Sequence, residues 1–166
     1  GGGAPRGGGG GPYSPPLISS FQSQVLQGLP FTKEWKGLVG QPNRVPADPD
    51  YLALLQGASS LLFLGMGRFM SYVPPRTVSS LDLRGCDCAL LLDRVNNEAA
   101  HQKQVYLDNR KNGAERLLEG PHRTAELLLA RGVKVVVATS MVTTAADNIK
   151  LLQAVLAGGL LQTLPL

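Results

Sequence analysis

The run Asp48-Pro-Asp-Tyr-Leu-Ala-Leu-Leu-Gln-Gly-Ala-Ser-Ser-Leu-Leu-Phe-Leu-Gly-Met-Gly-Arg-Phe-Met-Ser-Tyr-Val-Pro-Pro75 decides how this chain is read. Asp48 offers an N-cap, Pro49 suits a first helical position, and Asp50 places an acid against the positive end of the helix dipole. The double proline Pro74-Pro75 closes the run. A helix from 49 to 73 would be roughly 37 Å long at 1.5 Å per residue, against a hydrocarbon core of ~30 Å. The sequence therefore predicts one long apolar helix over 48–75, a candidate single transmembrane span. Tyr51 and Tyr72 stand where aromatic belts sit, and Arg68 lies near enough to one end to snorkel out. Gln56 and Arg68 interrupt the run, so a helix buried in a soluble core is the second reading of the same residues.

On a helix, Ala53, Gly57 and Ser60 would follow one another down one face, which continues to Gly67. Such a face lets a second helix approach closely, and these four residues are the expected helix-packing interface. Arg68 is expected to contact a partner or lipid, because a cation within an apolar span is costly unless something receives it.

Outward from this run the texture changes on both sides. Residues 1–47 hold a Gly-rich and Pro-rich opening, then apolar residues such as Phe21, Leu26, Phe31 and Trp35 broken by Gly28, Pro30, Gly37 and Pro42. They read as an extended Gly/Pro-rich arm and connector. Residues 76–166 read as a small helical or α/β domain. In it, Cys86 to Asp93 is a short buried strand or the start of a helix, and Asn96 to Asn112 is a polar, solvated helix. Gly120-Pro121 starts another helix, which Arg131-Gly132 ends, and Val133 to Val137 has the β-branched density of a strand. Thr144 and Asp147 imitate a capping box before a final helix that carries Ile149, Leu152 and Val155. The expected fold class is mostly α with a small α/β C-terminal part.

Composition narrows the function. Charged residues are 17% of the chain, with 20 glycines and 12 prolines in 166 residues, a thin charge for a free soluble surface. The net charge of +4 is spread out, with no basic stripe interleaved with aromatics, so nucleic acid is not an expected partner. The two cysteines, Cys86 and Cys88, exclude a secreted disulfide framework. The chain starts Gly1-Gly2-Gly3 without a methionine, which fits a processed product of organelle import or an incomplete record.

Candidate chemistry is sparse. Ala125 to Ser140 resembles the helix-to-strand passage of haloacid-dehalogenase-like phosphatases, in which a strand ends in a phosphate-contacting Thr or Ser, here Thr139-Ser140. Ala89 to Asp93 is similar to that family's nucleophile strand. The resemblance implies an α/β fold, but the acid/base carboxylate two residues after Asp93 is replaced by Val95. No Lys with a paired-Asp motif follows Ser140. Cys86, Cys88, His101 and His122 lack the compact spacing of a structural zinc site, and Gly65-Met-Gly67 lacks the third glycine of a dinucleotide fingerprint. No catalytic, cofactor-binding or metal residue is therefore assigned, and no cofactor is expected.

These features together predict a non-enzymatic accessory subunit of a multi-protein organellar complex in the mitochondrial inner membrane, of the respiratory-chain or ATP-synthase kind. Its expected partners are the other subunits of a large membrane complex and membrane lipid. The alternative is a soluble α/β domain, a degenerate phosphatase-like fold that binds a phosphorylated ligand.

Overall fold

A computed structural model of the chain describes residues 48–158. The arm and connector expected over 1–47 lie outside the described residues. The run 48–75 is not one helix. It folds as α1 (Asp48–Gln56), β1 (Ser60–Leu64), α2 (Phe69–Tyr72) and the first residue of α3 (Pro75–Ser79). Helix α1 stops one residue before Gly57, where a glycine costs about 1 kcal/mol relative to alanine in a helix interior. The apolar run Leu61 to Leu64 then pairs with a distant strand instead of continuing as helix. Among the described residues no helix is long and apolar enough to cross a membrane. The expected single span is thereby corrected, and with it the mostly α fold class: seven short helices surround a small parallel sheet among the described residues.

The sheet continues with β2 (Cys88–Leu92) and β3 (Val135–Ala138), in the spatial order β1-β2-β3. Both pairings are parallel, with Ser60 opposite Cys88, Leu64 opposite Leu92, and Cys88 opposite Val135. Parallel neighbours need crossovers. Between β1 and β2 these are α2 and α3; between β2 and β3 they are α4 (Glu98–Asp108), α5 (Gly113–Leu118) and α6 (Pro121–Ala130). Helix α7 (Ala145–Ala157) follows β3.

Strand β2 is buried along its whole length, as expected of a central parallel strand covered on both faces. On one face Ala89 and Leu91 join a core with Leu55, Phe69, Met70, Val73, Val78, Leu81, Leu83, Cys86, Leu128 and Val133. The neighbouring-strand residues in register with them, Leu61, Phe63, Val136 and Ala138, pack against that same core. Phe63 meets Phe69 edge-on with ring centroids 5.2 Å apart. Alternation sends Cys88, Leu90 and Leu92 to the opposite face, where they are equally buried. Both cysteines are free thiols, and burial pushes both pKa values up.

The helix boundaries have local causes. Asn97 caps α4 by accepting from the Ala100 N–H at 2.7 Å. Asn112 and Glu115 form a reciprocal capping box on α5, both bonds 2.9 Å. Pro121 sits in the first turn of α6. Gly132 ends that helix with φ +108°, and a Cβ there would come within 2.9 Å of the Arg84 backbone, so no other residue fits without strain. Thr144 accepts from the Asp147 N–H at 3.1 Å and donates to its carboxylate at 2.7 Å, which holds the Asp147 pKa below its ordinary value.

Candidate functional site

Open α/β sheets place ligands at the carboxyl ends of their strands, and the described residues form an open cleft there. Its walls are Met66, Gly67 and Arg68 after β1, Asp93 to Asn97 after β2, Ala100, His101 and Gln104 of α4, and Val142 from the β3–α7 loop. That loop is tied to the segment after β2. The Asn96 N–H donates to the Thr143 carbonyl at 2.7 Å, and the Thr143 N–H donates to the Arg94 carbonyl at 3.1 Å. Gly67 lets α4 come close: a Cβ there would stand 3.1 Å from Gln104 Oε1.

Asp93 is the most constrained group in the cleft. It is 6% exposed, and its Oδ2 accepts from the Phe69 N–H at 2.8 Å, which fixes the start of α2. Its Oδ1 is buried without a hydrogen-bond partner, as is Arg94 Nε. Burial pushes the Asp93 pKa up, against the opposing pull of the Phe69 N–H and of the Arg94 and Arg68 charges. The side chains following the β1 and β2 strand ends include Met66 and Val95, neither of which can act as nucleophile or base.

Behind the cleft lies a polar cluster. Arg68 pairs with Asp108, and its Nε donates to Glu119 Oε2 at 3.0 Å. Lys111 pairs with the other oxygen of Glu119. Ser71 Oγ donates to Glu119 at 2.8 Å, and Gln104 Nε2 donates to Asp108 at 2.9 Å. Glu119 is buried although charged, which is tolerable only because three groups reach it. The cluster fastens the β1–α2 turn to the ends of α4 and α5.

The structure scatters the residues singled out as a helix-packing face. Ala53 is exposed in α1, Gly57 follows that helix, Ser60 opens β1, and Gly67 is buried in the turn beside α4. Arg68 finds its partners within the chain, in Asp108 and Glu119. Thr139 and Ser140 follow β3 and lie outside the cleft lining, and the Thr139 N–H donates to the Leu91 carbonyl at 3.1 Å. Among the described residues no three His, Cys, Asp or Glu side chains stand where they could hold a metal ion. Sequence reasoning missed the capping role of Asp93 and the burial of Glu119. The signal for Asp93 was a carboxylate directly after three leucines.

No family model matches the chain. It is 42% identical over 161 residues to cilia- and flagella-associated protein 46 of Chlamydomonas reinhardtii, an alignment that covers 89% of this chain. The chain spans 6% of that relative's length. The expected mitochondrial inner-membrane subunit, with its respiratory-chain or ATP-synthase setting, is corrected on two grounds. The relative is associated with cilia and flagella, and the helix that was to cross the bilayer is divided into a helix, a strand and a second helix.

Proposed function

We propose that this chain is a non-catalytic, protein-binding module of a larger protein that works in the cilium or flagellum. The observation that carries this reading is the 42% identity over 161 residues to a cilia- and flagella-associated protein of which the aligned region is a small part. The cleft supports the non-catalytic half of the reading. Met66 and Val95 border it, and one oxygen of Asp93 is engaged in fixing α2.

The test is localisation of the full-length protein, fused to a fluorescent protein, in a ciliated cell. Signal concentrated in the cilium is expected; signal in mitochondria, or excluded from cilia, overturns the proposal. The catalytic question has its own measurement. Metal-dependent turnover of a generic phosphate ester by the purified chain, abolished by Asp93→Asn, would show the cleft to be an active site.

A further inference from the structure

Two polar atoms after the carboxyl end of β2 are left over by the fold. Asp93 lines the cleft at 6% exposure; its Oδ2 is engaged by the Phe69 N–H, while its Oδ1 accepts from no group among the described residues. Arg94 lines the same cleft, and its buried Nε donates to none. Native folds pair nearly all of their buried polar atoms, so two exceptions on adjacent residues of one cleft ask for a cause.

Their charges are neighbours without forming a pair. The Arg94 charge is felt by Asp93, yet Arg94 makes no ion pair among the described residues. Arg68, the other cation of the lining, is engaged by Asp108 and Glu119. Glu98, in the first turn of α4, lies outside the lining and accepts from Gln102. The cleft therefore presents one negative and one positive charge, held apart. An anion alone would meet the Asp93 carboxylate, and a cation alone would meet Arg94. A ligand that carries both charges satisfies both.

The rest of the lining narrows the ligand further. Helix α4 begins here, with Asn97 and Ala100 in the wall, and the positive end of its dipole favours a carboxylate. Met66, Val95 and Val142 supply an apolar side. With its open mouth the cleft holds about 540 Å³, within the range of small-molecule sites. We propose that the cleft binds a small zwitterion, an α-amino acid with an apolar side chain. Its ammonium donates to Asp93 Oδ1, its carboxylate pairs with Arg94 at the start of α4, and its side chain lies against Met66, Val95 and Val142. No chemical step is involved, and the site stands apart from both the assembly role and the compartment.

The test titrates L-leucine into the full 166-residue chain at neutral pH by isothermal calorimetry. Saturable binding with Kd below about 1 mM is expected. Isoamylamine lacks the carboxylate and isocaproate lacks the ammonium, so each should bind at least about tenfold more weakly than L-leucine. Asp93→Asn and Arg94→Gln should each weaken L-leucine by a similar factor, with a cooperative melting transition showing that the variant is folded. If one variant does not fold, the comparison of the three ligands on the parent chain still decides. Absence of saturation by L-leucine overturns the proposal. So does equal affinity for either analogue, tighter binding of inorganic phosphate, or unchanged affinity in either folded variant.

Discussion

The core beneath the sheet and the ledge formed by α4 and α5 are built on opposite plans. Under the sheet, Phe69, Leu91, Leu128 and Val78 are sealed from water, and stability comes from apolar area and close packing. On the ledge Ala100 is buried in α4 and Glu119 is buried after α5 with half-buried Arg68 and Lys111 beside it, while Leu117, Leu118 and Tyr106 are exposed. The first region is complete within the chain. The second is fastened by charge on its inner side and leaves its apolar side uncovered.

The largest effect that would sharpen this contrast is expected from Leu128→Ala. Its side chain is fully buried, so the lost transfer energy and the cavity together should cost about 2 to 5 kcal/mol in urea unfolding. Glu119→Gln should cost less, about 1 to 3 kcal/mol, because it weakens a buried charge-assisted cluster while Asp108 remains for Arg68. Amide hydrogen exchange should show the loss confined to α5 and the turn before α6. If Glu119→Gln unfolds the whole chain as Leu128→Ala does, ledge and core are one cooperative unit and the contrast fails.

The third expectation concerns pH. Burial raises the folded-state pKa of Asp93 above the ordinary carboxylate value, so the folded chain binds that proton more tightly than the unfolded chain does. Its contribution to stability is therefore present below about 4 and is lost as pH rises through the folded pKa. Asp93→Asn keeps an acceptor for the Phe69 N–H and should remove this decline, so that the difference in stability between variant and parent grows in the variant's favour from acid toward neutral pH. A difference that is constant over that range would place Asp93 in a solvated setting. The smallest effect belongs to Leu117→Ser, which should change stability by no more than about 0.5 kcal/mol. A large loss there would mean that the ledge already packs against something in the isolated chain.

Much of the second half of the fold was legible in the residues. The β-branched run up to Val137, Gly132 at its turn, Pro121 at a helix start and the Thr144–Asp147 pair each fold as local chemistry suggests. The first part was not. Leu61 to Leu64 has no period that separates strand from helix, and what decides it is pairing with β2, a tertiary event that adjacent residues do not announce. Gly57 and Gly67 looked like part of a packing face because the run was long and apolar, yet they lie outside every helix and strand. Arg68 stood out as a cation among leucines. Its counter-ions could not be named, because Asp108 lies 40 residues away and Glu119 51. The cleft was likewise hidden, since it is assembled from the ends of two strands whose pairing had not been read.

The placement of the two thiols gives the chain an internal gauge of its own breathing. Cys86 belongs to the cluster on one face of the sheet, and Cys88, opening β2, faces the other side. Both are protonated and sealed at neutral pH, so neither reacts with an alkylating agent until its own layer parts. The ratio of their labelling rates in a pulse of iodoacetamide thus reports which side of the sheet opens first. A partner seated on one side would slow one thiol and not the other.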